Sequence, residues 1–426
     1  MRLVDILNPL YIVVFLFGAQ FLIWLLFMPD VPDIPLAAPR YSSADAIFKY
    51  VVLLLLFLAG ICLGKMMAAS FHKGEDHSSI GYNVPDSVLV SRARSLRRFA
   101  IMTLTATVLG EMIYVRDVLL NPSVIGEAFE QGTLSIVGEI VRSGRILGVT
   151  TLNNLFVIPA AIFSLLSFHP VTNRIMPRRA RQARLSLVVI GITVLLHSLL
   201  FAARMFFVYY IVVVFAGYAV LHFRRRLRRW ILLAIIAMIL LSLLVVWSGE
   251  LLRSGLRYAR HIGAPLWSTE VQRFVLRLLI QGYVAADLNN ALIIFDCEPG
   301  GNGISTTLLG RLLAPGISYA NSPAWQSGYG TVNVLALWWF DVGWGACVLA
   351  PFMGWIIGWA YIIALRTLSD LHPLGLYYML MFPGLFAITR INFYFLSIFV
   401  LPALFLTGYC FVWSLQRSFA KGGRYA

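Results

Sequence analysis

Charged side chains that stand apart from the obvious arginine clusters mark where polar chemistry can occur in this chain. Between Gly249 and Asn333 lie Arg253, Arg257, Arg260, His261, Glu270, Arg273, Arg277, Asp287, Asp296, Glu298 and Arg311. Arg253, Arg257 and Arg260 recur at i, i+4, i+7, and Arg273 and Arg277 at i, i+4, so on helices each set shares a face. Ser268 followed by Glu270 and Val271 reads as a helix start. The spacing predicts two short amphipathic helices with basic faces on or near a membrane. Such faces either bind anionic headgroups or line an entrance for a pyrophosphate-bearing lipid.

A second set of arginines is isolated among apolar residues. Arg204 sits in "SLLFAARMFFVYY" with no acidic neighbour in sequence. An arginine held toward the bilayer centre costs about 2.5–3.5 kcal/mol on insertion scales, and much less if it snorkels to the interface. Arg390, in "FAITRINFYF", has the same character, and Arg142 and Arg145 form a further group in "VRSGRILGVTTLNNL". An arginine fork matches phosphate oxygens, so these positions suit a pyrophosphate at the membrane surface. Pairing with Glu127 or Glu139 is the alternative. Asp341 lies between aromatic residues and two glycines, Gly343 and Gly345, where a carboxylate must be paired or must cap a helix. The two glycines are expected to let helices approach closely.

Several chemistries have no sequence support. There is no Walker pattern, no HExxH, no GxSxG and no Cys/His metal set. Cys62, Cys347 and Cys410 fall in apolar runs and Cys297 stands alone, so no disulfide framework is expected. No metal and no cofactor is expected either.

These residues are positioned by membrane helices. The chain has 426 residues, is 60% hydrophobic and has a mean hydropathy of +0.81. Apolar runs of about twenty residues span about 30 Å of hydrocarbon as helices, and the runs are continuous rather than alternating, which excludes a barrel. The formal charge of +15 sits in short clusters between the runs, in keeping with the positive-inside rule and not with nucleic-acid binding. Lys65 to Arg98, Arg174 to Arg184, Arg224 to Arg229 and the tail from Arg417 read as inside. The segments with Asp30, Asp33 and Asp45, with Glu127 to Glu139, and the block from Gly249 read as outside. The first run, Pro9 to Met28, reads as an uncleaved span. The expectation is an all-α polytopic membrane protein with about ten spans and both termini cytoplasmic. Residues 1–248 form seven spans, 249–333 a large extracytoplasmic loop, and 334–426 three spans and a tail. Ionisable residues within spans are few: Glu111 and Asp341 lie near outer ends, and His197 is the main mid-span candidate.

Three stretches carry a resemblance to a known family. They are "FAARMFFVYYIVVVFAGY" with Arg204, "YGTVNVLALWWFDVGWGA" from Tyr329, and "GVTTLNNL" from Gly148 to Leu155. Together with the span pattern and the large late loop, they resemble the Wzy-type oligosaccharide repeat-unit polymerases of O-antigen, capsule and exopolysaccharide synthesis, which are related to the O-antigen ligases. Asp341-Val342-Gly343 departs at its middle position from the Asp-Phe-Gly-like sequence of that family.

The resemblance implies a metal-independent glycosyltransferase of the bacterial cytoplasmic membrane, with its active site on the outer face. A growing glycan on undecaprenyl pyrophosphate is the donor, and a single repeat unit on the same carrier is the acceptor. Membrane lipids surround the enzyme, and a chain-length regulator and a flippase are its expected partners. In that scheme Arg204 neutralises the leaving pyrophosphate, assisted by Arg142, Arg145, Arg257, Arg260, Arg273 and Arg390. His261, Glu270 and Asp287 are the candidates for the general base, with Tyr329 and Asp341 as structural neighbours. A ligase of the same architecture is one alternative, although His261 in "RYARHIGAP" matches the ligase histidine motif poorly. A transporter or flippase of lipid-linked glycans is the other; transporters usually carry mid-span ionisable residues and internal repeats.

Overall fold

Long apolar stretches bounded by helix-capping residues become helices here. The structure, a computed structural model, describes residues 7–28, 40–70, 84–123, 126–127, 150–200, 205–222, 229–297, 333–389 and 397–422. Among the described residues all regular structure is helical. The helices are α1 (Pro9–Phe27), α2 (Ala44–Ser70), α3 (Asp86–Leu120), α4 (Val157–Phe168), α5 (Pro170–Ile175), α6 (Pro177–Leu200), α7 (Met205–Leu221), α8 (Arg229–Glu250), α9 (Leu256–His261), α10 (Thr269–Arg277), α11 (Ala286–Asp296), α12 (Val334–Val342), α13 (Ala346–Thr367), α14 (Leu376–Ala387) and α15 (Ser397–Gly422). Among the described residues, seven helical stretches are long and apolar enough to cross a membrane, and four shorter helices are also apolar. The protein is a polytopic helical membrane protein.

Local signals set the ends. Asn8 accepts a hydrogen bond from Leu10 N, with Pro9 in the first helical position of α1. Ser268 caps α10 through Val271 N, as its sequence context predicts.

The main seam joins α2 to α13. Gly60 and Gly64 of α2 face Gly354 and Gly358 of α13. An ideal Cβ on Gly60 would collide with the Pro351 backbone, on Gly64 with that of Trp355, on Gly354 with that of Phe57 and on Gly358 with that of Ile61. The contacts advance together along both helices, so the two run parallel. Two small-xxx-small motifs thus close a backbone-to-backbone crossing where lipid supplies no hydrophobic drive. Gly343 and Gly345 serve differently from the close approach expected of them. Gly343 has φ +55°, which turns α12 into α13, and a Cβ on Gly345 would only touch the Val342 side chain.

Two other pairs are parallel. Phe156 stacks on Phe206 and Phe168 meets Tyr218 edge-on, so α4 and α7 run side by side. Arg97 donates to Gln182, and further along Glu111 meets His197, so α3 and α6 do the same.

The block from Gly249 differs from the loop expected there. Its first part extends α8 through a π-helical turn, Leu251–Gly255, into α9. Its second part, from α10 through a π-helical segment, Leu278–Ala285, to α11, is one continuous apolar stretch, Thr269–Asp296, most of it buried. The two expected short helices are therefore the ends of longer ones. Leu251, Ala259, Val271 and Val275 form a small core between them, while Arg253, Arg257, Arg260, Arg273 and Arg277 are all exposed. The physical reason is that "VLRLLIQGYVAADLNNALIIF" is apolar on the face that meets α1, α2 and α12, and its buried Asn289 finds partners inside the protein, Trp24 Nε1 and Tyr41 N.

Candidate functional site

The site is built where α3 and α6 run side by side. A cavity of about 330 Å³ lies between them, lined by Leu104, Thr107, Val108, Met112 and Val115 of α3 and by Val189, Ile190, Thr193 and Val194 of α6. Val108, Met112 and Val189 are also exposed on the outside of the bundle, where lipid would lie. Along α6 the lining runs from Val189 to His197, roughly 12 Å at 1.5 Å per residue. The space is therefore elongated, apolar and open to the side.

Its polar groups gather toward the C-terminal ends of the two helices. Glu111, His197, Asn153, Phe156 and Phe206 complete the lining. His197 Nδ1 lies 2.6 Å from Glu111 Oε1, and Asn153 Nδ2 donates to Glu111 Oε2 at 3.4 Å. Bonding to a carboxylate places the proton on Nδ1 and leaves Nε2 as the basic nitrogen. The imidazole is buried, with Phe206 and Tyr114 rings at 4.9 and 5.4 Å. These contacts hold its plane. Both partners of this pair border the cavity.

Gly110 explains how Asn153 reaches Glu111. Residues Thr150–Phe156 form a 3-10 helix against α3. A Cβ on Gly110 would strike Asn153 N and Leu152. The glycine thus lets the segment lie flat on α3, one residue from the carboxylate.

A second polar cluster occupies another part of the bundle. Gln20 Nε2 donates to Thr389 O at 3.0 Å and to Val284 O at 3.4 Å, and Asn333 Nδ2 donates to Gln20 Oε1 at 3.3 Å. Asn289 Oδ1 accepts from Trp24 Nε1 at 3.2 Å and from Tyr41 N at 2.7 Å. Tyr41 also bonds Asp296, which pushes the phenol up to about 12, chiefly through that hydrogen bond. Lys49 donates to Phe295 O at 2.9 Å and sits over the Trp339 ring at 4.9 Å. These bonds join α1, α2, α11, α12 and α14, and they read as a brace.

The sequence-predicted site residues are dispersed. Arg142, Arg145, Arg204, Tyr329 and Arg390 lie outside the described residues. His261 and Glu270 are exposed near the turn between α9 and α10, and neither borders the cavity. Arg257, Arg260 and Arg273 are exposed on the same two arms, and none of them lines the cavity. Asp287 and Asp341 are buried, on α11 and α12, and neither lines the cavity. Among the described residues no group of three metal-ligating side chains comes together, and all four cysteines are free.

Glu111 and His197 were visible in the sequence as rare ionisable residues in apolar runs. Nothing in their spacing, 86 positions apart, signals that they meet. Two of the three stretches that carry the family resemblance do converge on the cavity: "GVTTLNNL" supplies Asn153, and "FAARMFFVYY" supplies Phe206, two residues after Arg204.

No family model, curated protein or solved structure matches this chain.

Proposed function

We propose that this protein is a membrane glycosyltransferase that polymerises undecaprenyl-pyrophosphate-linked oligosaccharide repeat units at the outer face of the bacterial cytoplasmic membrane. The observation that carries the reading is the cleft between α3 and α6. It is largely apolar and open to the side, and an acid–base pair lines it toward the C-terminal ends of the two helices. That is the arrangement a transferase needs when its substrate is a lipid chain bearing a reactive polar head. The chain occupies the apolar part while the head meets Glu111 and His197.

The charge distribution supports the orientation. The N-terminal ends of α3 and α6 carry Arg92, Arg94, Arg97, Arg98, Arg178, Arg179, Arg181 and Arg184. By the positive-inside rule that end is cytoplasmic, and the polar end of the cleft then faces outward. Both termini are cytoplasmic in this reading, with about ten spans. Guanidinium groups neutralise a departing pyrophosphate without a metal.

The test is a glycan profile from cells lacking the gene, with lipid-linked intermediates extracted. Accumulation of single repeat units without a ladder is the expected result. Long chains retained on the carrier would instead assign a ligase. An unchanged profile would overturn the reading and turn attention to transport.

A further inference from the structure

The reading above leaves the group that activates the acceptor hydroxyl unassigned, and the two exposed candidates, His261 and Glu270, do not line this cleft. We propose that His197 is the catalytic base and that Glu111 and Asn153 are its positioning residues. This rests on the transferase reading of the α3–α6 cleft.

The geometry is that of a carboxylate-oriented imidazole. Glu111 Oε1 accepts from Nδ1 at 2.6 Å, and Asn153 holds the other carboxylate oxygen at 3.4 Å. Fixing the proton on Nδ1 turns Nε2 into the acceptor and lets the carboxylate stabilise the imidazolium once it forms. Aromatic rings of Phe206 and Tyr114 lie close to the imidazole, 4.9 and 5.4 Å between centroids, so the ring has little freedom to swing away. The largely apolar lining of the cleft lowers the local dielectric, which strengthens each of these interactions.

The step balances without any further reactant. The acceptor sugar's hydroxyl passes its proton to His197 Nε2 as its oxygen bonds the anomeric carbon of the donor chain. The bond from that carbon to the pyrophosphate oxygen breaks, and its electron pair leaves with the polyprenyl pyrophosphate. The imidazolium then releases its proton to water. Among the described residues, the titratable groups facing the imidazole are Glu111 and Tyr114, both on α3; α7 presents Phe206 and the 3-10 segment presents Asn153.

The experiment uses full-length protein in nanodiscs, with lipid-linked repeat units extracted from the gene-deletion strain as substrate. Elongation is followed across pH for wild type, His197→Gln and Glu111→Gln, each first shown to be inserted and monodisperse. The expected losses are about 10²–10⁴-fold in rate for His197→Gln and a comparable loss for Glu111→Gln. The acidic limb of the wild-type pH profile disappears from the residual rate of His197→Gln. Added imidazole partly restores His197→Ala, which a merely structural role would not allow. Wild-type rate in His197→Gln, or a slow variant that keeps the acidic limb, overturns the proposal. If His197→Gln does not insert, Glu111→Gln decides: wild-type rate and pH profile there overturn the proposal. An inactive wild type refutes the transferase reading itself, and this assignment falls with it; that failure is separable because it shows before any variant is compared.

Discussion

Replacing Gly60 by alanine puts a methyl group into the Pro351 backbone of the facing helix, where its oxygen, carbonyl carbon and Cα all lie within 3 Å of an ideal Cβ. No side chain can rotate to make room, because every atom met is main chain, so α2 and α13 must separate. Overpacking of this kind costs about 1–3 kcal/mol, or roughly a 5- to 150-fold shift in a two-state equilibrium. Gly354→Ala meets Phe57 backbone across the same seam. The double variant is expected to be less destabilised than the sum of the singles, because helices already parted by one methyl admit the second more easily. Gly18→Ala and Gly408→Ala are the internal controls. Both lie in helices with nothing within 4 Å of an ideal Cβ, so only helix propensity acts, and it favours alanine by about 1 kcal/mol. The assay is the thermal unfolding midpoint of purified protein in one detergent, with circular dichroism at low temperature to show unchanged helix content. A midpoint for Gly60→Ala equal to that of Gly18→Ala would refute the close parallel crossing.

Three further outcomes are expected. Arg204→Lys should leave the protein inserted yet lose most polymer, because a point charge lacks the guanidinium fork that matches phosphate oxygens; full-length polymer would mean that charge alone suffices. His169 is buried, donates from Nε2 to Ser369 O and accepts from Thr172 N at Nδ1, and burial lowers its pKa below the ordinary 6.5. Its stabilising contribution is complete above the ordinary value and is lost as pH falls through the lowered one, so the thermal midpoint should decline on acidification below about 6.5, more shallowly in His169→Asn; identical slopes would count against this. Asn289→Leu removes the acceptor of buried Trp24 Nε1, a loss of about 1–3 kcal/mol readable as a lower midpoint, and an unchanged midpoint would show that the bond is dispensable.

The membrane character and the position of most helices were legible in the sequence because hydropathy over twenty residues is a local property. The same holds for the Ser268 cap and for the outward face of Arg253, Arg257 and Arg260, which follow from spacing on one helix. The stretch from Thr269 to Asp296, expected as a short helix within a large loop, is one continuous and mostly buried helical stretch. Its polar residues, Asp287, Asn289 and Asn290, counted against a buried helix, yet all three are buried. Polar residues pass into a core when partners are waiting there, and those of Asn289 come from Trp24 and Tyr41, more than 240 positions away. The paired glycines of α2 and α13 were overlooked for a related reason. A small-xxx-small spacing is common in apolar helices, and only the facing helix gives it meaning.

By itself, then, the sequence determined that this is a basic, helical, many-spanning membrane protein, since each span satisfies its own backbone and declares itself by composition. It also picked out Glu111 and His197 as rare ionisable residues in apolar surroundings. Only the tertiary structure decided that they form a pair. The parallel course of α3 and α6 and the absent side chain at Gly110 bring an acid, an imidazole and an amide to one end of a lipid-facing cleft. Contacts between residues tens of positions apart depend on how helices cross, and crossing is set by surfaces that no single stretch of sequence contains.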